Sequence, residues 1–171
     1  MTFTGIPTPD HLLEPGRPLV GIASPFTNPD PITNIRYGAR FATALWTRSE
    51  GALVPVLPNA NLVWDMIAPL PYEAWLAVTM AVIERCDMLV RLPGESSGAD
   101  LEVRRALDLN IPVLTYRDDL TTEQVIDHAH VTVDVLLRLW DEREPGVHVT
   151  VPDVIGMADI GAAAYAELGD L

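Results

Sequence analysis

The chain has 171 residues, 49% of them apolar, which is enough to bury one ordinary core and too little for a second full domain. Its 24 acidic against 11 basic residues leave a formal charge of -13, a field that repels phosphate backbones and anionic lipid and so excludes nucleic acid and membrane surfaces as partners. Every basic residue is arginine, which removes Schiff-base lysines, the phosphate-cradling lysine of P-loops and the lysine of receiver domains.

Residues 1–17 are proline-rich and aperiodic, and are expected to form an irregular leader ahead of one domain over 18–171. Leu19 to Ala23 is a short apolar run closed by Ser24-Pro25, the pattern of a buried parallel strand. After the loop Phe26 to Pro31, the spacing of Ile32, Ile35, Ala39, Ala42, Leu45 and Trp46 predicts a helix ending near Gly51. Ala52 to Leu57 reads as a second strand, placed at an edge because Pro55 cannot donate to a ladder. A loop with Pro58, Asn59 and Asn61 follows, and Trp75, Val78, Val82, Ile83 and Cys86 mark a helix over Tyr72 to Cys86. Cys86 is the one cysteine, has no disulfide partner and reads as core, which suits a reducing, cytoplasmic compartment. No basic n-region with an apolar h-region opens the chain, and no run approaches the roughly 18 apolar residues of a membrane span.

Asp87 to Leu92 is the third strand. Pro93 to Gly98 breaks it, and Ala99 to Leu109 is a helix with Leu101, Val103, Ala106 and Leu107 on its apolar face. Ile111 to Tyr116 makes a fourth strand, Thr121 to Trp140 a long amphipathic helix opened by a Thr121 to Gln124 cap, and Gly146 to Val151 a fifth strand. A last helix is expected near Met157 to Leu168. Strands alternating with helices predict a three-layer α/β fold, a doubly wound parallel sheet of about five strands of the flavodoxin- or Rossmann-like kind. In such sheets ligands bind outside the carboxyl ends of the strands, at the switch in strand order.

The loops after Ala23 and Leu92 should therefore form one crevice. Ser96 and Ser97 can cap the following helix, and the free N–H groups there, with Gly98, make an anion-binding nest that needs no lysine. The competing reading is an ordinary N-cap followed by a turn glycine. Glu102 lies in the first or second turn of that helix, either as a carboxylate directed at the nest or as a surface residue favourable to the helix dipole. No metal-ligand spacing appears, since His128 and His130 are two apart on a helix and face different directions. No motif calls for a cofactor.

The strand Met88 to Leu92 with the following Pro-Gly-Glu-Ser-Ser-Gly-Ala-Asp-Leu-Glu, residues 93–102, resembles the nucleoside 2-deoxyribosyltransferase-like superfamily in its DUF4406-type branch. Gly21 to Pro29 looks like that family's first strand and Gly-Pro-aromatic loop, and Pro71 to Trp75 like the start of its approach helix, so the resemblance covers Pro18 to Tyr116. It implies N-glycosidic bond cleavage or deoxyribosyl transfer, with Glu102 attacking the anomeric carbon and water or a second base resolving the glycosyl-enzyme. Ser96 stands where nucleotide hydrolases of the family carry serine, which implies a nucleoside 5'-monophosphate as substrate. The implied binding residues are Ser24, Phe26, Asn28, Ser96, Ser97 and Gly98, with Trp64 and Trp75 as weaker candidates. One departure stands out. Many relatives carry an aspartate eight residues before the third strand's first Asp, and here that position is Thr79. Either Asp30 or Asp65 supplies the proton, or the protein is a non-catalytic nucleotide-binding or sensor protein. The resemblance, with apolar surface expected on the long helices at Trp46 and Trp140, also implies a homodimer or larger homo-oligomer.

Overall fold

The computed structural model of the chain describes residues 16–142 and 146–151. The expected leader, up to residue 15, and the expected helix near Met157 to Leu168 lie outside the described residues. Strands β1 (Leu19–Ala23), β2 (Val54–Val56), β3 (Met88–Arg91), β4 (Val113–Thr115) and β5 (His148–Thr150) form one all-parallel sheet in the order β2-β1-β3-β4-β5. Helix α1 (Pro31–Arg48) follows β1, α2 (Leu62–Ile67) and α3 (Tyr72–Ile83) follow β2, and α4 (Ser97–Asp108) follows β3. Helices α5 (Thr122–Asp127) and α6 (Ala129–Glu142) follow β4.

The strands are apolar on both faces because helices cover both. On one side Val20, Ile22, Met88 and Val90 pack with Phe41 and Leu45 of α1 and Leu136 and Leu139 of α6. On the other, Ala23, Leu89 and Val113 pack with Ile83 of α3 and Ala99 and Ala106 of α4. This is the three-layer arrangement that a near-continuous apolar strand pattern requires. Pro55 does sit in the edge strand, opposite Val20. The chain leaves β1 for β2 on one side and returns to β3 on the other. The switch in strand order therefore falls between β1 and β3, and their carboxyl ends open a crevice there.

Two elements depart from the sequence reading. The stretch expected as a loop after β2 holds a short 3-10 turn (Pro58–Asn61) and then α2, so it forms a built wall. The single helix expected over Thr121 to Trp140 is two, broken at His128. The capping box is present, with Thr121 and Gln124 exchanging side-chain to backbone bonds. At the break the Arg48 guanidinium donates to the carbonyls of Ile126 at 2.7 Å and Asp127 at 2.8 Å, satisfying acceptors that the end of α5 leaves open.

Gly94 joins three of the loops at the carboxyl edge. Its φ is +110°, and a Cβ there would lie 2.9 Å from Pro25 Cγ in the loop after β1. Its N–H donates to Asp118 Oδ1 at 3.0 Å in the loop after β4, and its carbonyl accepts from Arg91 at 2.7 Å. Gly94→Ala should therefore cost about 2 kcal/mol through backbone strain and collision with Pro25. Urea unfolding of the variant measures it, and a midpoint indistinguishable from the parent would contradict the junction.

Candidate functional site

The crevice encloses a cavity of about 130 Å³. The loop after β1 contributes Ser24 and Phe26, and Asn59 and Asn61 come from the turn after β2. Tyr72, Trp75 and Thr79 stand on α3, and Ser96, Gly98 and Glu102 on and beside α4. Among the sequence candidates, the structure thus brings together Ser24, Phe26, Ser96, Gly98 and Glu102. It leaves Ser97 and Asn28 out of the cavity wall, both exposed. Asn28 serves the loop instead, its carbonyl accepting from Asn34 Nδ2 at 2.9 Å.

Asn59 was not singled out from the sequence and holds the first loop in place. Its Nδ2 donates to Ser24 O and Ser24 Oγ at 2.9 Å and to Pro25 O at 3.1 Å. An asparagine after a proline in a loop is a common turn pattern, so only the sheet geometry that lays β2 beside β1 reveals this role. Trp75 is fixed by its Nε1 donating to Asp65 Oδ1 at 2.6 Å and by Trp64 standing edge-on at 5.0 Å between ring centroids. Phe26, Tyr72 and Trp75 give the wall its aromatic surface.

Ser96 is the N-cap of α4, its Oγ accepting from Ala99 N at 3.2 Å. Asp100 N bonds to Ser96 O at 3.0 Å, which leaves the amides of Ser97 and Gly98 without an intrahelical acceptor. The cap uses an oxygen lone pair, so the Ser96 hydroxyl hydrogen can still be donated to a ligand. Capping therefore leaves this hydroxyl hydrogen and the two amides available as donors. A Cβ at Gly98 would meet Tyr72 Oη at 3.7 Å and Ser96 Oγ at 3.9 Å, ordinary contacts, so the strict glycine requirement falls on Gly94.

Glu102 lies in the second turn and is not the surface residue that a helix-dipole role implies. Only 6% of it is exposed. Burial pushes its carboxyl up to about 7, partly opposed by the Arg91 charge and by a hydrogen bond with Thr79. The Thr79 hydroxyl also lies 3.0 Å from Leu76 O, and its one hydrogen serves either acceptor. Thr79 therefore faces the site. Arg91, buried on β3, is the cation whose field reaches Glu102. It donates to Leu92 O, to Gly94 O and to Asp100 Oδ1 at 3.0 Å. Of the two alternative acids, Asp65 lines the cavity, whereas Asp30 caps α1 and is held ionised by the backbone N–H of Thr33.

Among the described residues the cavity wall carries two carboxyl groups, Glu102 and Asp65, and no basic side chain. A buried carboxyl titrating near neutrality beside orphan helix amides can act as nucleophile or as acid and base. Among the described residues no three His, Cys, Asp or Glu side chains group as a metal site, and no helix is long and apolar enough to cross a membrane.

No protein-family model matches the chain, and no curated protein aligns with it. Among solved structures it is similar to a conserved protein from Enterococcus faecalis V583, with a TM-score of 0.51 and 17% identity over 80% of this chain and 82% of that one. An oxidoreductase from Corynebacterium diphtheriae matches with a TM-score of 0.34 and 15% identity, covering 90% of this chain and 89% of that one. The first likeness is one of fold.

The pKa of Glu102 makes stability depend on pH. The raised folded-state value favours the protonated form, so that contribution is complete below about pH 4.5 and is lost as pH rises through about 7. Glu102→Gln keeps the shape and removes the buried charge. It should gain up to about 3 kcal/mol over the parent at pH 8 and little at pH 5. Thermal unfolding of both proteins across that range measures it, and a difference independent of pH would refute the burial of an ionisable Glu102.

Proposed function

We propose that the chain cleaves the N-glycosidic bond of a nucleoside 5'-monophosphate, by hydrolysis or by deoxyribosyl transfer, with Glu102 as the nucleophile. The observation that carries this reading is the buried Glu102 carboxyl, near-neutral in pKa, in an aromatic-walled crevice at the strand-order switch. The resemblance of residues 88–102 and 21–29 to the nucleoside 2-deoxyribosyltransferase-like superfamily supports it. In this reaction a Glu102 oxygen bonds to the anomeric carbon as the carbon–nitrogen bond breaks. The base leaves with the electron pair and takes a proton from water, and a water molecule or a second base then displaces Glu102. Phe26 and Trp75 offer faces for the base. The phosphate would rest on the Ser96 hydroxyl and the amides of Ser97 and Gly98.

The same reading includes a homo-oligomer, but the apolar surface lies elsewhere than expected. Trp140 packs against the core and Trp46 lies under the Arg17 guanidinium at 5.5 Å. Val63, Trp64, Met66 and Ile67 of α2 and Tyr72 of α3 are exposed instead, Ile67 at 79%. This patch borders the cavity wall at Leu62, Asp65 and Tyr72, so a second copy seated on it would extend the crevice.

A panel of nucleosides and 5'-monophosphates, assayed for free base by chromatography, tests the reaction. The rate should rise with pH through about 7, because attack requires the ionised Glu102, and Glu102→Gln should release no base. Equal turnover in that variant removes the assigned nucleophile. Ser96→Asp retains an N-cap while repelling phosphate, so it should lose monophosphate binding by about tenfold or more and keep nucleoside binding. Equal losses for both ligand classes remove the phosphate assignment.

Thr79 favours a second reading, in which the crevice binds nucleotides without turning them over, since a hydroxyl does not replace the expected carboxylate as proton donor. Thr79→Asp separates the two. Base release appearing only in the variant means that the parent binds without catalysis. An active parent whose rate falls or whose pH optimum moves upward in the variant, through repulsion between the introduced carboxylate and Glu102, keeps the enzyme reading.

A further inference from the structure

A second concavity, about 740 Å³ and more open than the first, lies along the same carboxyl edge over β3, β4 and β5. It is separated from the Glu102 crevice by α4 and by the Arg91 side chain. Three of the chain's 11 basic residues, Arg91, Arg104 and Arg117, line it, although the net charge of the protein is -13. Among the described residues its three carboxylates, Asp100, Asp118 and Asp119, are already engaged. Asp100 pairs with Arg91 at 3.0 Å, Asp119 pairs with Arg117, and Asp118 accepts the Gly94 amide at 3.0 Å.

What remains is a set of donors. Arg104, exposed on α4, has no acidic partner among the described residues, and its guanidinium offers a planar fork suited to an oxyanion. Thr115 Oγ1 and His148 Nε2 lie 2.8 Å apart. If the ring nitrogen accepts, the other ring nitrogen keeps its proton; if it donates, the threonine hydroxyl keeps its own. Either tautomer leaves the pair one hydrogen to give. Thr150, two residues from His148 on the last strand, adds a hydroxyl at the same edge.

We propose that this second cleft binds a phosphate-type dianion, held by Arg104 with His148, Thr115 and Thr150. A tetrahedral oxyanion can accept from a guanidinium on α4 and from hydroxyls and a ring on β4 and β5 at once, which a planar carboxylate does less well. The site is distinct from the nest at Ser96, where the proposed reaction would seat the substrate's phosphate. It does not depend on that reaction.

Inorganic phosphate titrated into the full chain, carrying Glu102→Gln so that no turnover intervenes, tests the assignment by amide chemical shifts and calorimetry. The expected result is saturable binding with shifts at Thr115, Arg117, His148 and Thr150, weakened about tenfold by Arg104→Ala, and by less for Arg104→Lys, with succinate binding more weakly. Shifts centred on Ser96 to Ala99 instead would overturn the second site while supporting the nest. Absence of binding at millimolar phosphate, or binding that Arg104→Ala leaves unchanged, would overturn it as well. A chain that fails to release base and still shows the β4 and β5 shifts would separate the failure of the proposed reaction from that of this site.

Discussion

The site depends on how the chain keeps one carboxyl group and one guanidinium out of water on neighbouring elements. Moving Glu102 from solvent to the wall of a crevice disfavours its charge, and the Arg91 field partly restores it. Arg91 in turn is tolerable inside the sheet only because its donors are used, by Leu92 O, by Gly94 O and by Asp100. Those bonds draw the loop after β3 back over the strand end. The same loop presses Gly94 against Pro25, which holds the loop carrying Ser24 and Phe26. Replacing Arg91 would therefore remove more than a charge, since it would free two carbonyls and loosen the contact between the two loops that flank the crevice.

Much of this fold was legible because the sheet is buried on both faces. Short apolar runs bounded by proline, glycine and asparagine have few other places to go, and each of the five predicted strands contains an observed one. Pro55 and the Thr121 to Gln124 cap each express a local hydrogen-bond rule, and both appear as read. Features set by distant residues were not legible. The open carbonyls at the break are satisfied by Arg48, 78 positions from Ile126, and the clamp of Asn59 on Ser24 spans 35. Helix α2 was missed because Leu62 to Ile67 is too short for a periodic signal, and its apolar residues point outward instead of forming a core stripe.

For the site, the loop residues were readable as chemistry and their environments were not. Ser96 as an N-cap follows from its position before a helix pattern, whereas the burial of Glu102 requires knowing that α3 packs against α4 and brings Thr79 to it. The apolar surface was misplaced for a related reason. Trp46 and Trp140 sit on long helices whose inner faces are already matched to the sheet, so their rings find cover. Val63 to Tyr72 lies on a short excursion beyond the sheet edge with no layer above it.

The electrostatics of the crevice bear on which reactions it can favour. Among the described residues two carboxyl groups and no basic side chain line it, and the burial of Glu102 means that charge there is less screened than in bulk water. Such a wall would oppose a transition state that accumulates negative charge, as in acyl or phosphoryl transfer, where cationic or N–H donors at the reacting centre are needed. It would favour one that accumulates positive charge, as when a glycosidic bond breaks and the sugar carbon becomes oxocarbenium-like. An anionic group on the same ligand would then have to sit away from Glu102 and Asp65, at the α4 amides beside Ser96, where the helix end offsets part of the repulsion. In the proposed reaction the sugar would separate the reacting carbon from the phosphate and so meet both demands, which a ligand with its anion adjacent to the reacting atom would not.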